Sequence, residues 1–273
     1  MLTTVCQRWV GRCARFVRPS TFEARRYEVA ELGDDTTPRA FVEAHHYSAA
    51  YVAAWRRFGL YEGGALVGVV VFSVPPRLEA LRPFPLNASA ELGRLVLLDR
   101  VPFNAETWLV TRCAELLRPL GLAGFVMFSD PFARVTTDGR VVHVGHRGVV
   151  YMGLGACFLG QAHPDTLHLL PDGRVFARRA LAKIRTRDTG WRYAVDTLVA
   201  AGATPPADTS RASVLAAWVD VALAQVTRKV RHPGNLKYAF ALSEGARKDL
   251  PPSLPYPRLA RPVCATFEGR AVA

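Results

Sequence analysis

Two short apolar runs constrain this chain more than any other feature. Leu66–Val74 (LVGVVVFSV) and Gly124–Phe128 (GFVMF) are strand-length, rich in β-branched and aromatic residues, and lack the alternation of a half-exposed strand. Strands of this kind must be covered on both faces, which calls for a central sheet with helices packed on it. Neither run approaches the ~20 apolar residues of a membrane-spanning helix, and the first ends in Pro75-Pro76. The expectation is a soluble, cytoplasmic protein with no membrane partner. Five cysteines without a C-x-x-C pair speak against a disulfide framework or a zinc ribbon.

The remaining elements order themselves around those strands. Tyr27–Leu32 alternates like a first strand, and Thr37-Pro38 opens a helix that runs toward His45-His46-Tyr47. Arg57–Tyr61 and Leu66–Val74 flank Glu62-Gly63-Gly64-Ala65, a hairpin connection. Leu92–Leu98 is a further strand. Asn104 stands at the N-cap of a helix on which Leu109, Cys113 and Leu117 recur at i, i+4 and i+8. Val144–Leu154 contains a short helix, Cys157–Gly160 a strand, and Pro171–Arg174 a turn. The order β, α, β, β, β, α, β, α, β predicts an α/β (α+β) fold. Its mixed sheet, flanked by helices, has the layout of the acyl-CoA N-acetyltransferases of the GCN5-related (GNAT) type, with a basic C-terminal extension.

Charge divides the chain. Residues 1–26 hold six Arg and one Glu, residues 27–172 twelve basic and fifteen acidic residues, and residues 173–273 seventeen basic and seven acidic. A mildly acidic body between two basic ends suggests a polyanionic partner, with double-stranded DNA the first candidate. Residues 1–26 read as a basic arm. If helical, Arg8, Arg12, Arg15 and Arg18 would line one side, and the segment also resembles an organellar presequence. Residues 27–203 read as the core. Residues 204–273 read as a linker, an insertion helix at Val214–Val226 and a basic part that completes the sheet. Between 174 and 192 seven cations accompany one acid, with Trp191 and Tyr193 interleaved as stacking planes. Arg178, Arg179 and Lys183 are expected to contact phosphates from one helix, with Lys237 further along.

Chemistry concentrates at three places. Ser129-Asp130-Pro131 ends the central strand, where α/β folds present ligands, although it is also good turn chemistry. His146 and Tyr151 follow closely enough to join Asp130 as an acid/base or ligand pair, and Gly145 and Gly148 around His146 permit close backbone approach to a ligand. His46 and Tyr47 end the first helix, where the helix dipole alone would favour a histidine. His143-x-x-His146 has metal-like spacing but no local carboxylate. No phosphate-binding glycine motif is present. The loop after Leu92–Leu98, Asp99–Asn104, has no glycine, and Glu106 follows in the first turn of the next helix, which argues against ordinary acetyl-CoA binding.

Taken in order, several segments resemble one family. His46-Tyr47-Ser48, Glu91-Leu92-Gly93-Arg94-Leu95, Asn104 opening a helix, Ser129-Asp130-Pro131 and Gly145-His146-x-Gly148-x-x-Tyr151 are similar to the Mom DNA-modification proteins of phages. Pro233–Tyr238 and Tyr256-Pro257-Arg258 are similar to that family's basic C-terminal part. The resemblance implies an acetyltransferase-like transferase acting on adenine N6 of DNA, with N6-(methylcarbamoyl)adenine as product and protection from host restriction as its use. It implies catalytic roles for Asp130, His146, Tyr151, His46 and Tyr47, and donor contacts at Arg94, Ser129 and Asn104. Acetyl-CoA or a related acyl donor, and a metal ion such as iron on His46, Asp130 and His146, are further implications. A plain N-acetyltransferase for a small amine or peptide would leave the basic C-terminal end without a task. A non-enzymatic DNA-binding protein would leave the Asp130 and His146 segments without one.

Overall fold

A computed structural model of the chain describes residues 6–10, 13–17, 21–75 and 77–258. The elements run β1 (Cys6–Val10), β2 (Cys13–Val17), β3 (Tyr27–Glu31), α1 (Thr36–His45), β4 (Ala54–Glu62), β5 (Ala65–Ser73), β6 (Ser89–Leu97) and α2 (Ala105–Leu117). They continue with β7 (Gly124–Ser129), β8 (Arg134–Val135), β9 (Val141–His143), α3 (Val149–Gly153), β10 (Cys157–Gln161), β11 (Asp165–Leu169), β12 (Val175–Phe176) and α4 (Arg178–Thr186). The last are α5 (Trp191–Ala200), α6 (Ala212–Val226), β13 (Arg228–His232), β14 (Leu236–Ala241) and α7 (Glu244–Lys248).

Seven strands form the main sheet in the order β10-β14-β7-β6-β5-β4-β3. The two apolar runs become β5 and β7, both inside the sheet, as their lack of alternation requires. One face carries Phe58, Leu60, Phe72, Leu92, Phe125 and Met127 against Leu109, Cys113 and Leu117 of α2. The other packs Val69, Val71 and Val96 against Val42 of α1, and Val126 and Ala239 against Leu81 and Phe84. The mixed α/β sheet of the sequence-based expectation is thus present.

All pairings in this sheet are antiparallel except β6 with β7. That parallel contact spans only Ser89–Leu92 opposite Gly124–Met127. Beyond it the two strands part, so the backbone from Gly93 and from Phe128 onward borders a wedge. A bulge at Gly93 lies at the parting point, where Val71 pairs with Arg94 but Phe72 with Leu92. A Cβ on Gly93 would come within 2.3 Å of Ser73 Oγ, so only glycine lets β6 turn here.

A second unit lies in the chain between β10 and β14. The small sheet β12-β11-β13 and helices α4, α5 and α6 enclose their own core of Leu170, Ile184, Trp191, Leu198, Leu215 and Val219. The boundary expected at 203/204 therefore falls inside one packed unit, because α5 and α6 share that core. The N-terminal expectation changes too: within residues 1–26, β1 pairs antiparallel with β2 where an amphipathic helix was considered. Among the described residues no helix is long and apolar enough to cross a membrane.

Candidate active site

The strand ends around the wedge and the loop from Ser129 to Gly148 bring a polar cluster together. Asp130 leaves β7 and is held from three sides. Its Oδ1 accepts the Phe132 N–H (2.9 Å) and faces His232 Nε2 (3.0 Å), and its Oδ2 pairs with an Arg134 guanidinium nitrogen (2.8 Å). The Gly234 N–H donates to His232 Nδ1 at 3.0 Å, so Nδ1 carries the lone pair and Nε2 the proton given to Asp130. Burial alone would raise the Asp130 carboxyl. The Arg134 charge, the His232 hydrogen bond and the Phe132 N–H outweigh it and hold the group below its ordinary value.

Four further side chains line the opposite wall. His46 is buried at the end of α1, and its Nδ1 accepts the Ser48 N–H (3.1 Å) beside the Ser48 hydroxyl (2.9 Å). Its ring stacks on Tyr47 at 4.3 Å between centroids. The Tyr47 ring lies 4.5 Å from His143 and 6.1 Å from His146. Burial drives all three imidazoles down, His46 well below its ordinary value, His143 to about 3 and His146 to about 4. They are neutral at physiological pH. Burial also pushes the Tyr47 hydroxyl up to about 12. An open cavity of about 230 Å³ is lined by Tyr47, Asp130, Arg134 and His143 from the core, and by Asp172 and Arg174 from the turn after β11.

The wedge between β6 and β7 is occupied by the protein itself. The Tyr151 hydroxyl donates to the Phe128 carbonyl (3.3 Å), and Arg94 donates from Nε to Ala50 O (2.8 Å) and from Nη1 to Gly93 O (2.6 Å). Glu91 completes this group. Burial raises its carboxyl, opposed by the Arg94 charge. Sequence reasoning quoted Glu91 as part of a resemblance and gave it no role, and it missed Arg134, His143 and His232 as neighbours of Asp130. An H-x-[GS] triplet at 46–48, 143–145 and 232–234 was the available signal. In each, the backbone N–H two residues on lies 3.0–3.1 Å from Nδ1. His143 departs from the other two, since its Nδ1 also lies 2.9 Å from the Phe132 carbonyl.

Several expectations need correcting. Gly145 and Gly148 have φ of 77° and 71° and serve the chain's own packing. A Cβ on Gly145 would meet Pro131 O at 2.4 Å, and one on Gly148 the Tyr151 ring at 2.7 Å. Asn104 occupies the N-cap position with φ 72° but makes no side-chain cap bond. Ser129 is fully buried on the strand face shared with Met127. Lys237 alternates with Tyr238 and so lies on the opposite sheet face, opposite Phe128 in the pairing. On α4, Arg178 pairs with Asp165 and Lys183 Nζ sits over the Tyr193 ring at 5.4 Å, so the three cations do not form one free row.

The two implied cofactors stand differently toward the residues present. A pyrophosphate cradle needs free N–H groups between β6 and α2. Here Leu98, Val101 and Ala105 N–H bond Val67, Leu98 and Pro102 carbonyls and Pro102 has no N–H, so a donor's pyrophosphate would have to use the other N–H groups of this loop. The metal does not fit: His146 Nε2 faces the Asp130 N–H at 3.4 Å and His46 Nδ1 accepts the Ser48 N–H at 3.1 Å. Among the described residues no group of three His, Cys, Asp or Glu is placed to hold an ion.

No curated sequence matches the chain. Among solved structures it is similar to a tandem GNAT protein from the clavulanic acid biosynthesis pathway (10% identity, 80% of this chain and 99% of that one, TM-score 0.41). It is also similar to an IAA acetyltransferase from Bacillus cereus (12%, 55% and 92%, 0.35) and to an acetyltransferase of Bacillus subtilis in complex with CoA (14%, 50% and 80%, 0.30). The model of the Mom protein family matches residues 26–207, two thirds of the chain. That span holds His46, Tyr47, Glu91, Arg94, Asp130, Arg134, His143, His146 and Tyr151, the site described above apart from His232, and the chain belongs to the Mom protein family.

Proposed function

We propose that the protein is a DNA-modifying transferase that acts on adenine N6, with the Asp130 cavity as the pocket for the extruded base. The observation that carries this reading is an ionised carboxylate and an aromatic ring, Asp130 and Tyr47, lining one cavity of about 230 Å³, with Arg134 over the ring. Drug-sized ligands fill roughly 300–1,000 Å³, so this space suits one planar heterocycle. A base taken out of the stack needs an aromatic surface and a partner for its Watson–Crick edge. Tyr47 offers the first. For the second, Asp130 Oδ2 keeps a lone pair beside Arg134 that can accept an N6–H.

The exocyclic amine is a weak nucleophile, because its lone pair is delocalised into the ring. Its nitrogen must form the new bond to the donor carbon while the donor's leaving group departs with the bonding pair. One N6 proton must go to a base. Two carboxyls whose environments push them apart mark that division of labour. Asp130, held low, fits the role of ionised acceptor, and Glu91, raised by burial, fits the role of base. Arg94 and Tyr151 flank Glu91, and orienting the donor there requires Arg94 to exchange its Ala50 and Gly93 carbonyls for it. His46 and His146, neutral, hold Tyr47 and the Asp130 backbone in place. Duplex DNA would lie against the basic second unit, with Arg179 and Lys183 of α4 at its phosphates.

The test is a restriction challenge. Plasmid from cells making the protein should resist endonucleases whose sites contain adenine, and plasmid from cells making Glu91→Gln should be cut. Equal cutting with and without the wild-type protein overturns the proposal.

A further inference from the structure

The second unit reaches the site through one strand. β13 is the edge of the β12-β11-β13 sheet, paired on one side only with β11. It reads Arg228-Lys229-Val230-Arg231-His232, and its last residue is the donor to Asp130 Oδ1 at 3.0 Å. Strand alternation puts Arg228, Val230 and His232 on one face and Lys229 and Arg231 on the other. His232 is buried, whereas Lys229 and Arg231 are both exposed. They stand about 7 Å apart along the strand at ~3.3 Å per residue. Neighbouring cations of this unit are neutralised, Arg178 by Asp165 and Arg185 by Asp220. Lys229 and Arg231 make no ion pair among the described residues. Burial and then the charge of Lys229, its cross-strand partner, hold His168 below its ordinary value, while Asp220 opposes Arg185 there.

We propose that the exposed face of β13 holds a phosphodiester backbone, with Lys229 and Arg231 on successive phosphates of the duplex whose base enters the Asp130 cavity. Arg231 precedes His232 on the strand but points from its other face, so a phosphate it holds runs along the exposed side of β13, behind the His232–Asp130 contact. The strand's unpaired outer edge supplies backbone N–H donors along the same track. The inference rests on the reading of the cavity as a base pocket, and it extends that reading to residues beyond the 26–207 family match. Charged residues on an edge strand also prevent strand-to-strand association, which is the competing explanation for Lys229 and Arg231.

The experiment is fluorescence anisotropy of the full chain on a labelled DNA duplex from low to high salt, for wild type, Lys229→Ala/Arg231→Ala and Lys229→Glu/Arg231→Glu. Each phosphate contact contributes roughly 0.9 to the slope of log affinity against log salt, so the alanine pair should lower it by about two and the glutamate pair should weaken binding further. Circular dichroism identical to wild type confirms that the variants are folded. Unchanged affinity and slope overturn the proposal, as does increased self-association of the alanine pair without any change in slope. Polyglutamate that displaces the duplex as well as unlabelled DNA does would also overturn it, by pointing to an acidic protein partner. The outcomes separate from those of the base-pocket reading. A lowered slope in a protein that modifies no adenine leaves the DNA track standing alone. Modified adenine with an unchanged slope removes the track and keeps the pocket.

Discussion

Replacing Asp130 by Asn should cost more than activity. The carboxylate and Arg134 are 13% and 8% exposed and 2.8 Å apart, so their ion pair is buried. An amide oxygen can keep the Phe132 N–H and the His232 Nε2–H. The amide NH₂ would then face the Arg134 guanidinium, donor against donor, and leave that charge buried without a counter-ion. Breaking a buried pair from one side costs about 3–5 kcal/mol. At about 2–4 °C per kcal/mol for a chain of this size class, the melting temperature should fall by about 6–20 °C. Calorimetry or urea unfolding measures this directly. A cycle with Arg134→Met isolates the pair, and the double variant should recover much of the loss because the stranded charge is gone. Asp130→Asn melting within about 2 °C of wild type would refute the reasoning.

Other perturbations test other parts of the site. His146→Ala should remove modification while duplex affinity, measured by anisotropy, stays near wild type; retained activity would exclude His146 from the machinery. Gly148→Ala adds a methyl at φ 71° against the Tyr151 ring and should lower both the melting temperature and activity, with a melt equal to wild type as the contrary result. Acid should destabilise the fold from about pH 6.5 downward, where ordinary histidines take up protons. His143 and His146 stay neutral to about 3 and about 4, whereas the unfolded chain takes up those protons below about 6.5. Each imidazole therefore removes up to about 1.4 kcal/mol of stability per pH unit as the pH falls from 6.5 toward 4, and equal urea midpoints at pH 7 and pH 5 would contradict it. The triple variant Arg178→Ala/Arg179→Ala/Lys183→Ala should lower the salt slope by about two, since Arg178 leaves an ion pair with Asp165; an unchanged slope removes α4 from the interface.

What could be read in the sequence was local. Leu66–Val74 and Gly124–Phe128 foretold β5 and β7 because a strand buried on both faces must be apolar throughout. The Gly63-Gly64 turn between β4 and β5 was legible for the same reason: both residues have positive φ, and glycine adopts it without strain. Asp130 stood out because it ends a central strand. His232 did not, since it lies 102 residues further on and reaches Asp130 only through the pairing of β13 with β11. Nothing in the sequence marks Arg134, and only the turn after Asp130 buries it. The β12-β11-β13 sheet was illegible because its strands are short and polar, and their core comes from α4, α5 and α6. The β1–β2 pair escaped the reading of residues 1–26 as a basic arm because cations three or four residues apart fit two short strands as well as a helix.

The most direct measurement is mass spectrometry of nucleosides from DNA of cells that make the protein, compared with cells that make Glu91→Gln. The account predicts a heavier adenosine species in the first digest, with the added mass on N6, and none in the second. Adenosine unchanged in both would contradict the assignment of the Asp130 cavity to adenine.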